Sequence, residues 1–157
     1  MDTQRFGDPT QADFRLAISP FYLMAHADFR YHEDMEVVLA RRGVSKSIYR
    51  VLTVLREFSP INIGQLAERA LMKRSTASRI IDRMVEQRLA EARPAPQDTR
   101  FVEVSLTPEG ADLLNSLTPV VARQFARAVQ GLEPEELTAL VGTLRRIVDN
   151  LGKLAIE

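Results

Sequence analysis

The sequence predicts a mainly α-helical fold carrying one small β-hairpin. Three observations carry that prediction. From Lys73 a short apolar-periodic helix is crowded with Arg, Ser and Thr. Two strand-like runs follow, ending at Leu106 and separated by a turn of Pro, Asp and Arg. The segments 1–44 and 107–157 read as amphipathic helices outside that unit.

The elements follow in chain order. Ser19-Pro20 makes a cap and first turn, and the helix after it gathers Phe21, Tyr22, Met24, His26, Phe29, Arg30, Tyr31 and His32. Tyr22, His26 and Arg30 recur at i, i+4 and i+8, so they share one side. An aromatic wall beside a guanidinium suits a planar carboxylate or a thioester-linked aromatic acid. Core or subunit-interface packing, with His26 hydrogen-bonded there, accounts for the same residues, and both readings stand. A metal reading would use His26 and His32 with Glu33, Asp34 or Glu36. Helical ligands normally sit about three or four residues apart, and a six-residue spacing turns the two rings to opposed faces.

Ser45 to Phe58 carries Ile48, Val51, Leu52 and Leu55 at helical spacing and stops near Ser59-Pro60, where the proline disfavours helix in the residue before it. Ile63 to Ala70 is a brief periodic piece containing Leu66 and Ala67. Only Leu71, Met72 and the boundary residue Lys73 separate it from the next helix, the turn length of a helix-turn-helix. In that next helix Ala77, Ile80, Ile81 and Met84 share a core face. Ser75, Arg79, Asp82, Arg83 and Glu86 point away, with Thr76 and Ser78 on the flanks. Hydroxyls and guanidinium groups at its N-terminal half can bond base edges and phosphates. An ordinary solvated helix face has the same charges.

The hairpin shifts the balance. Leu89 to Arg93 leads into Pro94, Ala95, Pro96, Gln97, Asp98, Thr99 and Arg100, a run no helix tolerates. Val102, Val104 and Leu106 then alternate with Phe101, Glu103 and Ser105, the period of a half-buried strand. Asp98 lies two residues before Arg100, close enough to hold its guanidinium while leaving donors free. A helix suited to the major groove followed by such a charged hairpin is the winged form of a helix-turn-helix.

Thr107-Pro108 caps a further helix with Leu113, Leu114, Leu117, Val120, Val121 and Phe125, which Pro119 should kink. Glu133 to Glu136 opens the last one, where Leu137, Leu140, Val141, Leu144, Ile147, Val148, Leu151 and Leu154 form a continuous apolar stripe. The winged unit supplies its own core, so these end helices read as dimerisation apparatus. The domains are therefore 1–44, 45–106 and 107–157. Two-fold symmetry then calls for a pseudo-palindromic operator with half-sites about one helical turn apart.

Composition narrows the function classes. The chain has 157 residues, 45% of them hydrophobic, and no cysteine. Disulfides, thiolate zinc sites and cysteine-based oxidant sensing are thereby excluded. No run of ~18 apolar residues is present, and Met1 to Arg5 lacks the apolar core of a signal peptide, so a cytoplasmic protein without membrane contact is expected. A phosphate loop, a nucleophile elbow and a paired-carboxylate context are all missing, which argues against an enzyme and against a cofactor. Net charge is zero, yet its distribution is uneven. Residues 73–100 hold seven basic and four acidic side chains, residues 101–157 five and eight, and residues 1–72 nine of each. Positive charge concentrates where DNA should lie, and affinity should fall as salt rises.

With these residues in view the chain resembles the MarR family of bacterial regulators, from about Ser45 to Leu114. The resemblance is carried by Gln65-Leu66-Ala67, by Ser75-Thr76-Ala77-Ser78-Arg79, by Asp98-Thr99-Arg100, and by Leu106-Thr107 with Gly110. It implies a homodimeric winged-helix protein that binds double-stranded DNA, usually represses nearby genes and is released by a small molecule. It implies base contacts around Arg74, Ser75, Thr76, Ser78 and Arg79, and a minor-groove contact at Arg100. Arg83 and the bracing Asp98 complete the DNA-facing set. It further implies an effector between the dimerising helices and the winged domain, near Tyr22, His26, Arg30 and Tyr49; the aromatic carboxylate is the ligand class those residues suit. Two positions depart from the family pattern. Thr99 replaces the first of two adjacent basic residues in the wing, and Gln87-Arg88-Leu89 puts Arg88 where a helix-ending glycine is common. A winged-helix protein-interaction module without a DNA role, and a metal-responsive regulator, are the alternatives.

Overall fold

The computed structural model describes residues 7–98 and 100–153. Met1 to Phe6, Thr99 and Leu154 to Glu157 lie outside the described residues, and with them the readings placed on the N-terminus, on Thr99 and on Leu154. After a 3₁₀ turn at Leu16–Ile18 come α1 (Pro20–Ala40), α2 (Lys46–Phe58), β1 (Ile61–Asn62), α3 (Ile63–Arg69) and α4 (Arg74–Glu86). These are followed by β2 (Ala90–Pro94), β3 (Val102–Leu106), α5 (Pro108–Ala128) and α6 (Pro134–Lys153). One compact unit ends at Gln124 and a second begins at Phe125.

The core of the first unit is built on α2, whose Val51, Leu52 and Leu55 are fully buried with Leu39, Leu66, Ile81, Met84, Val104 and Leu117. The apolar spacing read in α2 to α5 thus becomes one shared interior. Ile80 is only half-buried and packs against its edge.

Side-chain caps start α1, α2 and α3. Ser19, Ser45 and Asn62 accept from the amides of Tyr22, Ile48 and Gln65, which satisfies N–H groups a first turn leaves open. Lys73 at the start of α4 gives no such bond.

The sheet has three antiparallel strands in the order β1-β3-β2 rather than the two read from the sequence. Ile61 pairs with Val104, and Ala92 pairs with Val104 on the other side. A two-residue strand has no period to detect. Its position follows instead from the end of α2, where the Ser59 hydroxyl donates to the Leu55 carbonyl at 2.6 Å and accepts from the Leu106 amide at 3.1 Å.

Thr107 fixes the end of the sheet against α5. Its hydroxyl donates to the Arg88 carbonyl and accepts from the Gly110 amide, while a Cβ at residue 110 would collide with the Leu89 carbonyl oxygen. The Thr-Pro-Glu-Gly sequence is therefore a joint between wing and helix. α5 continues through Pro119 as one helix.

In the second unit α6 buries none of its residues; Leu140, Val141, Val148 and Leu151 are exposed, and Leu144 and Ile147 half-buried. Among the described residues no helix is long and apolar enough to cross a membrane.

Candidate nucleic-acid interface and effector cavity

The N-terminal half of α4 presents the residues singled out from the sequence. Ala77, Ile81 and Met84 face the core, and that phase leaves Arg74, Ser75, Thr76, Arg79 and Arg83 exposed with Ser78 half-buried. Arg74, Arg79 and Arg83 form no ion pair among the described residues. Their donors are open to phosphate and to base edges, for which a forked guanidinium is the best-matched side chain.

The wing carries a held cation. Arg100 donates through Nε to Asp98 Oδ1 at 3.0 Å and through Nη2 to Oδ2 at 2.7 Å, and its amide donates to Oδ1 at 3.1 Å. The Arg100 side chain nonetheless remains 85% exposed. The Arg100 guanidinium, through its side-chain bonds and then its backbone amide, holds the Asp98 carboxyl below the usual carboxylate range, and the carboxylate in turn raises Arg100. The turn is closed by the Phe101 amide donating to Asp98 O and the Ala95 amide to Phe101 O. Arg93 on β2 pairs with Glu91 at 2.7 Å. The arrangement is a charged finger whose tip residue has its direction set before it meets a ligand.

A cavity of about 170 Å³ lies between α1 and α2. Met35 and Leu39 give it apolar walls, Tyr31 and Tyr49 aromatic ones, and His32, Lys46, Arg50 and Thr53 polar ones. Burial, followed by the neighbouring Tyr31, raises the Tyr49 pKa above its ordinary value against a lowering by Arg56. Tyr49 is therefore a neutral donor at neutral pH. A cavity of about 150 Å³ accepts one benzene ring, so this one suits a single substituted ring.

Tyr49 lines this cavity; Tyr22, His26 and Arg30 do not join it within the chain. The α1 residues at the cavity are Tyr31, His32, Met35 and Leu39, on roughly the opposite side of a helix from positions 22, 26 and 30 at ~100° per residue. The Tyr22 ring lies tilted against His26, centroids 5.0 Å apart, and Arg30 pairs with Glu33 at 3.6 Å, all of them exposed. The sequence reading followed the aromatic crowd and missed the inward stripe of half-buried Tyr31 with buried Met35 and Leu39, which has the same spacing. Lys46 and Arg50 were missed as well. Their signal was two cations one turn apart on the side of α2 that carries Tyr49.

A β2–β3 wing after a helix-turn-helix, its sheet completed by β1, with guanidinium groups on the second helix that form no ion pair among the described residues, defines a winged-helix DNA-binding transcriptional regulator. Residues 39–100 match the model of the MarR family. The chain is 31% identical over 147 residues to the transcriptional repressor IacR of Pseudomonas putida, covering 94% of this chain and 88% of that protein. It is 32% identical over 100 residues to the repressor NicR of Pseudomonas putida, 63% of each. The fold is similar to that of a MarR-family regulator from Silicibacter pomeroyi, with TM-score 0.82, 27% identity and coverage of 94% and 97%. It is also similar in fold to Bordetella bronchiseptica BpsR, whose DNA binding is regulated by 6-hydroxynicotinic acid, with TM-score 0.75, 23% identity and coverage of 87% and 97%. This chain belongs to the MarR family. Its relatives are transcriptional regulators rather than enzymes.

Proposed function

We propose that the protein is a homodimeric repressor, acting in the cytoplasm, that occupies a pseudo-palindromic operator and leaves it when a small aromatic carboxylate fills the α1–α2 cavity. In this reading Arg74, Ser75, Thr76, Ser78 and Arg79 meet base edges in the major groove and Arg83 meets phosphate. Arg100, braced by Asp98, reaches the minor groove. The observation that carries it is the group of exposed guanidinium groups at the N-terminal half of α4 with no acidic partner. For the effector, the cavity supplies apolar walls, a protonated Tyr49, and the cations Lys46 and Arg50; aromatic ring and carboxylate each find a counterpart.

Mobility shifts with DNA flanking the protein's own gene test the first half. Wild type should bind a defined fragment with a steep salt dependence, and Arg79→Ala and Arg100→Ala should bind it more weakly. Equal shifts for all three proteins would remove the assigned contacts, and no shift for any of them would favour a protein-binding role. For the second half, benzoate and 6-hydroxynicotinate should raise the melting temperature and weaken operator binding, while benzamide, isosteric with benzoate but uncharged, should do neither. Release by the amide as effective as by the acid would sink the carboxylate assignment.

A further inference from the structure

The α1–α2 cavity and the helix-turn-helix share one side chain. Arg50 Nη2 lies 3.4 Å from His32 Nε2, and Arg50 Nη1 donates to the Ala70 carbonyl at 3.3 Å. A guanidinium only donates, so Nε2 of His32 is the acceptor and its proton sits on Nδ1. Nδ1 is 2.8 Å from the Asp28 carbonyl and 2.9 Å from its carboxylate. Asp28 and His32 thus orient one end of Arg50 from α1. The other end holds the carbonyl of Ala70, the residue that caps the C-terminus of α3, where the chain turns towards α4.

That carbonyl belongs to a tight joint. Ala70 is buried, Leu71 follows with φ 52°, and the amides of Leu71 and Met72 return to the carbonyls of Glu68 and Ala67. A shift at Ala70 therefore moves the residues that launch the recognition helix. Among the side chains lining the cavity in the described residues, Arg50 is the one that bonds to this turn.

We propose that Arg50 is the positioning residue that couples the two: it sets the α3–α4 turn for operator binding, and an anion in the cavity draws its guanidinium off Ala70. The inference rests on the cavity being the effector site. Magnitudes favour the anion. The two bonds Arg50 makes are at the long end of the hydrogen-bond range, to neutral acceptors, whereas a carboxylate forms shorter, roughly twice as strong, bidentate bonds with Arg.

The test uses the full-length protein with Arg50→Met, Arg50→Lys, His32→Leu and His32→Gln, titrated against operator and against unrelated DNA, with and without benzoate. Without benzoate, Arg50→Met should bind operator about 5–10-fold more weakly, within the usual span of coupling between sites, and unrelated DNA unchanged. His32→Leu should lose affinity in the same sense, and His32→Gln, whose amide oxygen accepts from Arg50, should restore it. Arg50→Lys should still bind benzoate by calorimetry, yet benzoate should no longer release its operator. Operator affinity at the wild-type level in both Arg50→Met and His32→Leu overturns the proposal, as does full benzoate release in Arg50→Lys. If Arg50→Met melts before the assay, the His32→Leu and His32→Gln pair decides. If benzoate and 6-hydroxynicotinate leave wild type unbound, the effector reading falls, while the ligand-free comparison still decides whether Arg50 positions the turn.

Discussion

At the scale of single residues, the same guanidinium chemistry is used in three settings. Arg79 is exposed and unpaired, Arg100 is exposed but held, and Arg50 is half-buried between two neutral acceptors. Loss of a base-reading guanidinium removes about 1–3 kcal/mol of operator affinity. Arg79→Ala should therefore relax discrimination between operator and mutated operator in an anisotropy titration, whereas Arg83→Ala should weaken both alike and reduce the salt slope by about one. Asp98 acts through Arg100. Because its folded pKa is depressed, the pair is complete above the ordinary carboxylate range and is lost only as pH falls through the lowered value. Operator binding should thus show no pH dependence from this pair across neutral pH, while Asp98→Asn should weaken binding about two- to five-fold at every neutral pH, as befits an exposed pair. Tyr49 has the opposite sign. Its raised pKa means its contribution to stability is complete below 10 and is lost as pH rises through the folded value. A melting temperature that falls in alkali less steeply in Tyr49→Phe than in wild type would confirm this; parallel curves would refute it.

At the scale of elements, the helices were legible because each carries a period and most a cap, and the ends of α1, α3 and α4 show what was not. All three close with the same paired bonds, from 44 to 39 and 43 to 40, from 72 to 67 and 71 to 68, and from 89 to 84 and 88 to 85. This is the Schellman closure, which sets one residue in the left-handed region. Gly43 fills it in α1, but Leu71 with φ 52° and Arg88 with φ 59° fill it in α3 and α4. The departure at Arg88 was visible in the sequence, and the structure shows that the helix stops there regardless. A side chain in that region costs roughly 1–2 kcal/mol, partly offset by the greater freedom glycine has when unfolded. Leu71→Gly and Arg88→Gly should each stabilise by about 0.5–1 kcal/mol, raising the melting temperature by a few degrees; a lower melting temperature would show that Leu71 or Arg88 makes a contact worth more than its strain. Gly110 is the converse case, since its Cβ would meet backbone rather than a flexible side chain. Gly110→Ala should destabilise by about 3 kcal/mol. The candidate site was legible to the same depth. Exposed Arg, Ser and Thr on α4 follow from its apolar phase, but which face of α1 turns inward depends on where α2 packs, and local composition does not encode that.

At the scale of the whole molecule, the remaining question is what covers the apolar surface. On α1, Phe21, Leu23 and Phe29 are exposed, and on α6 so are Leu140, Val141, Val148 and Leu151, with Val148 at 67%. Scattered exposed apolar residues such as those on α1 are ordinary, but a continuous stripe such as that on α6 marks an association surface. The occupant proposed here is a second copy of the chain, because a net-neutral protein whose only net positive stretch is the modest excess in residues 73–100 has little long-range attraction to DNA. Such a protein would gain operator affinity chiefly by engaging two half-sites at once. Linking two binding events in this way strengthens binding by about 10²–10⁴ over one. Val148→Asp with Leu151→Asp places two charges on the α6 stripe and touches none of the buried residues of the first unit. Light scattering should show this variant as a monomer with the helical content of wild type, and its affinity for the full operator should drop to that for a single half-site. A monomer that still binds the full operator as wild type does would show that the two recognition helices are not read together. A variant that remains dimeric would place the pairing surface elsewhere than on α6.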